Sequence, residues 1–133
     1  MHALRLVVRG IALLFGLLLL IGSVAGAAGL LSTAGDTAVP LSQRMVTALP
    51  LLLAGLVLLA PHRRCLAQPR YAILLAANLL VGAICAYRLL QTIELARNGD
   101  IPAIAIPVAS IIALIPFANA WALRSLRQTQ TPR

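Results

Sequence analysis

Acidic side chains are scarce: this 133-residue chain has three Asp and Glu together against eleven basic residues. All eleven are arginine, and lysine is absent. Charged residues make up only 11% of the chain, where soluble domains average about a quarter. A soluble domain of this length needs a charged skin, and these residues cannot supply one. Aromatic residues amount to 4%, which excludes the stacking platform that usually accompanies nucleic-acid binding. The net charge of +8 is therefore not read as a nucleic-acid footprint, and its arginines sit at the ends of apolar runs. Two cysteines, Cys65 and Cys85, are too few for a disulfide framework. His62 and Cys65 form an H-x-x-C pair, two ligands where a structural zinc needs four. No metal, no cofactor and no catalytic constellation is expected; the only imidazoles, His2 and His62, lie outside the apolar runs.

What the chain has in quantity is apolar sequence, 61% of all residues. It falls into four runs, about 10–31, 45–60, 71–90 and 101–123. The first is twenty-two residues without a formal charge, about 33 Å as a helix and enough for a hydrocarbon core of about 30 Å. The second is the shortest at sixteen residues, so its helix is expected to begin earlier, near Leu41, or to rely on Arg44 snorkelling. The third is uncharged from Tyr71 to Tyr87, and its helical pattern continues past Arg88 towards Arg97. In the fourth, Asp100 reads as an N-cap with Pro102 in the first turn. Pro107 and Pro116 lie deeper there, each removing a backbone bond. The connections are too short for a globular insert. The expected fold is one all-α domain, a bundle of four transmembrane helices.

Orientation follows from the arginines. One side collects Arg5, Arg9, Arg63, Arg64, Arg70, Arg124, Arg127 and Arg133, and the other Arg44, Arg88 and Arg97. Eight against three over short loops puts the first group in the cytoplasm, with both termini inside. Asp36, Glu94 and Asp100 all fall on the outer side. The arginine-only basicity and compact loops are those of a bacterial inner-membrane protein. A rival reading treats run one as a signal peptide, with Ala25-Gly26-Ala27 as its cleavage site. The spanning length of the run favours a retained helix.

Several residues qualify as helix-packing or contact groups. Gly22 and Gly26 form a GxxxG pair, and Gly29 joins them through Ala25. Small residues let backbones approach closely, either within the bundle or between two copies. Asn78, Gly82 and Ala86 recur at helical spacing, and Asn78 needs a polar partner within the bundle. Asn78 lies about 12 Å above Arg70 and Asn119 about 7.5 Å above Arg124, so the two amides are candidate partners. With Ser23 and Ser110 they give either interhelical glue or a polar track. Arg63, Arg64 and Arg70 are assigned to anionic lipid headgroups. The expected partners are the bilayer and a second copy or another membrane protein. The expected role is that of a non-enzymatic membrane subunit. A small oligomeric transporter or channel, with Asn78, Ser110, Arg88 and the prolines lining a path, is the alternative, and a membrane-embedded enzyme is the third reading.

Overall fold

The fold, a computed structural model, describes residues 2–28 and 40–130. Four helices account for most of it: α1 (His2–Ala27), α2 (Leu41–Leu59), α3 (Arg70–Arg97) and α4 (Ala105–Gln130). A short 3-10 turn, His62–Cys65, lies between α2 and α3. No strand occurs among the described residues. All four helices are long and apolar enough to cross a membrane. At 1.5 Å per residue they measure from about 28 Å for α2 to about 42 Å for α3.

The helix ends depart from the apolar runs for local reasons. α1 begins well before the first run and includes Arg5 and Arg9, since arginine is a good helix former whatever its polarity. α2 begins at Leu41 and carries Pro50 within it. The fourth run differs most. Gly99 sits at φ +81°, the left-handed conformation that glycine takes at little cost. The Asp100 amide donates back to the Leu95 carbonyl at 3.0 Å and the Gly99 amide to Ala96 at 3.2 Å. These are the paired bonds of a Schellman motif. Asp100 therefore closes α3 instead of capping α4, and α4 begins only at Ala105. Pro107 consequently falls in the first turn, where its missing N–H costs little. The Ala103 carbonyl, four residues before Pro107 and so without that residue's N–H, accepts from Ile106 N at 3.1 Å. Only Pro116 lies deep inside α4.

The helices run up and down as two hairpins, α1 against α2 and α3 against α4. The hairpins meet chiefly along α1 and α4 and more lightly along α2 and α3. The α1–α2 crossing rests on Gly16 and Gly55. A Cβ on Gly55 would stand 2.9 Å from the Gly16 carbonyl, and one on Gly16 would stand 3.1 Å from the Gly55 carbonyl. Only glycine allows such an approach. In the other hairpin Gly82 receives the Phe117 ring, which a Cβ would meet at 2.7 Å. Gly22 and Gly26 have nothing within 4 Å of a Cβ position, so the close approach is made one turn and more away from the GxxxG pair. Gly29 lies outside the described residues. Inside, Tyr71, Leu74 and Leu123 form a small core with Val57, Leu66 and Leu75 packed against it. Outside, the surface is largely aliphatic, with Leu14, Leu18, Leu53, Leu80 and Ile111 all exposed.

Candidate functional site

A polar cluster occupies the end of the bundle where α1 starts and α2 and α4 finish. Its origin is Pro61. Proline lacks an N–H and pushes the preceding residue into extended backbone, and Ala60 accordingly sits at ψ 132°. The last carbonyls of α2 are then short of donors and carry the negative end of the helix dipole. Arg9 of α1 supplies what is missing. Its Nη1 donates to the Leu58 carbonyl at 2.8 Å, and its Nη2 to Ala60 at 2.6 Å and Leu59 at 3.3 Å. One guanidinium on α1 thus caps the C-terminus of α2.

The same Nη1 donates to Asn119 Oδ1 at 3.1 Å, which ties α4 to the pair. Asn119 Nδ2 then donates to Asn78 Oδ1 at 2.8 Å, and Asn78 Nδ2 to the Leu74 carbonyl of its own helix at 2.8 Å. Both amides are fully buried. The bonds run in one direction, from a cation at the bundle end to a backbone carbonyl of α3.

His62 closes the cluster from the loop side, with Nε2 3.1 Å from Arg9 Nη1. A guanidinium has donors only, so in the neutral ring protonated at Nδ1 the Nε2 atom can share a hydrogen of Nη1 that also serves Leu58 or Asn119. Burial, and after it the Arg9 cation, push the His62 pKa down to about 4. The residue is 8% exposed.

Other polar groups stay local. Ser23 Oγ donates to Leu20 O at 2.9 Å and Ser110 Oγ to Ile106 O at 2.8 Å, each within its own helix. They do not join the asparagines in a track. Arg88 is exposed and donates to Gln91 at 3.3 Å. Cys65 and Cys85 are both free thiols. Arg63, Arg64 and Arg70 are exposed. No group of three or more metal-ligand side chains occurs among the described residues. A cleft of about 340 Å³ between α1 and α2 is walled by Val24, Met45, Leu49 and Leu52, with Ser23 at its edge. Its walls offer almost nothing to hold a polar ligand.

Sequence reasoning joined Asn78 to Asn119 through their heights but treated Arg9 as a boundary marker and His62 as half of a metal pair. The missed signal was Pro61, which strands helix carbonyls and so requires a donor from elsewhere. The arrangement defines a class: a four-helix bundle of membrane-spanning dimensions, locked at one end by a half-buried arginine. Comparison with family models, with curated proteins and with solved structures finds no match to this chain.

Proposed function

We propose that this chain is a multi-pass protein of the bacterial inner membrane, with both termini in the cytoplasm, acting as a non-enzymatic subunit that packs against a membrane partner or a second copy. The aliphatic outer surface supports insertion, because lipid covers such a surface and water does not. The arginine asymmetry supports the orientation.

The observation that carries the subunit reading is the closed chain of hydrogen bonds from Arg9 through Asn119 and Asn78 to Leu74. Intramembrane polar groups mark transport or catalysis when they face a cavity. Here each bonding group turns to a neighbour within the fold, and the cleft between α1 and α2 is apolar. Among the described residues, nothing stands within 4 Å of a Cβ position at Gly22 or Gly26, which leaves room on α1 for a helix from outside.

Two measurements test this. A reporter active only outside the cytoplasm is expected to be active after Gly99 and silent when fused to Arg133. Purification in mild detergent is expected to yield a stoichiometric membrane partner or a defined oligomer. A monomer that conducts or transports a solute after reconstitution would overturn the subunit reading, and a C-terminus outside the cytoplasm would overturn the orientation.

A further inference from the structure

The locked end of the bundle carries more exposed arginine than the other end, which has Arg88 and Arg97. Arg9 is consumed by the carbonyls of α2, Arg5 donates to Thr129 at 3.4 Å, and Arg127 lies 4.1 Å over the Tyr71 ring. Arg63, Arg64, Arg70 and Arg124 remain exposed at this end. The acidic residues of the described part, Glu94 and Asp100, follow from the far half of α3 and lie at the opposite end. Among the described residues, no acidic side chain lies at this end to neutralise the four.

Their placement is fixed. In a 3-10 helix, residues three apart share a face, so His62 and Cys65 stack on one side of the turn. That side is turned inwards: His62 is held by Arg9 at 3.1 Å, while Cys65 and Leu66 pack on the Tyr71–Leu123 core. Arg63 and Arg64 therefore stand outwards on a short loop pinned to the bundle. Arg70 opens α3 beside them, and Arg124 projects from the last turns of α4. A planar guanidinium is suited to a phosphate oxygen pair and is weakly hydrated, so it keeps its contact at a crowded interface.

We infer that Arg63, Arg64, Arg70 and Arg124 form a binding surface for the phosphate headgroups of anionic phospholipid, preorganised by the Arg9–His62 contact. This rests on the membrane-spanning reading above. Each arginine beside an anionic surface strengthens binding about fivefold, so removing two should lower lipid preference by more than tenfold.

The full chain is reconstituted in nanodiscs of phosphatidylcholine mixed with phosphatidylglycerol, and retained lipid is counted by native mass spectrometry. The expected result is selective retention of phosphatidylglycerol. The preference should fall by more than tenfold in Arg63→Gln/Arg64→Gln and likewise in Arg70→Gln/Arg124→Gln. Arg88→Gln/Arg97→Gln, at the other end, should keep it. Equal retention of the two lipids, or an unchanged preference in Arg63→Gln/Arg64→Gln, overturns the assignment. So does displacement of the lipid by inorganic phosphate, which would make these free-phosphate ligands. Alkaline carbonate extraction of native membranes separates the two readings. Release of the chain would sink the membrane-spanning reading itself, whereas an integral chain with no lipid preference sinks only the headgroup surface.

Discussion

Arg9 Nη2 stands 2.6 Å from the carbonyl oxygen of Ala60, the residue at which α2 stops. A helix terminated by proline has met its capping need with a side chain from a different helix, fifty-one positions earlier in the chain. α1 is thereby part of the folded bundle and not an accessory to it.

Arg9→Met should accordingly destabilise the bundle by about 2 to 4 kcal/mol, the scale of losing a charged donor to several buried acceptors. Arg9→Lys should recover part of that loss, since an ammonium keeps the charge but lacks the planar fork that reaches carbonyls on both sides. Thermal unfolding in mild detergent measures both. A lysine variant equal to wild type would mean that only charge matters and that the fork geometry is incidental. The same logic bears on processing: removal of residues 1–27 would strip Leu58, Leu59, Ala60 and Asn119 of a shared donor. The mass of the mature protein should therefore include α1.

Asn78 and Asn119 share one hydrogen bond, and each also bonds elsewhere. Asn78→Ala leaves the Asn119 amide without its acceptor, and Asn119→Ala also removes an acceptor from Arg9. Each should cost on the order of 0.6 to 1.7 kcal/mol, with the Asn119 loss the larger of the two. The double variant should lose less than the sum. Strictly additive losses would show that the bond carries no energy of its own.

Helical rise alone brought these two amides to neighbouring heights, because depth along a span is a function of residue count. It could not find Arg9, because an arginine that marks a membrane boundary and one that caps a neighbouring helix look alike in sequence. What separates them is Pro61, fifty-two residues away. The start of α4 was illegible for a different reason. Asp100 before a proline has the signature of an N-cap, but Gly99 offers the competing Schellman closure of α3, and that closure uses the Asp100 amide. The glycines repeat the lesson. Gly22 and Gly26 fit a pattern, whereas Gly16 and Gly55 lie on separate helices and share no spacing that a single chain could display.

Those glycines give a graded test. Gly55→Ala would press a methyl to 2.9 Å from the Gly16 carbonyl, and backbone cannot step aside as a side chain can. The variant should lose about 1 to 3 kcal/mol, the usual cost of overpacking. Gly82→Ala meets the Phe117 ring instead, so Phe117→Leu should restore part of its loss. Gly22→Ala should leave the monomer's unfolding unchanged, since its Cβ position is open. A Gly22→Ala variant as unstable as Gly55→Ala would refute the crossing point described for α1 and α2.

His62 makes the cluster sensitive to acid, and the sign follows from its protonation state. The ring accepts a hydrogen bond from Arg9 and is held neutral, with its pKa down at about 4, against about 6.5 in an unfolded chain. Between those values the unfolded chain binds the proton and the folded one does not. Stability from this group is therefore complete above about pH 6.5 and is lost progressively as pH falls towards about 4. Each pKa unit of that depression corresponds to about 1.4 kcal/mol before solvent screening, which reduces it. Unfolding midpoints in mild detergent should thus decline between about pH 7 and pH 5. His62→Gln supplies the control, because a glutamine carbonyl can accept from Arg9 without titrating. That variant should keep most of the neutral-pH stability and lose most of the decline. If its acid dependence matched that of the wild type, the titrating group would have to be another one, and the Arg9–His62 contact would not be the acid-sensitive part of the lock.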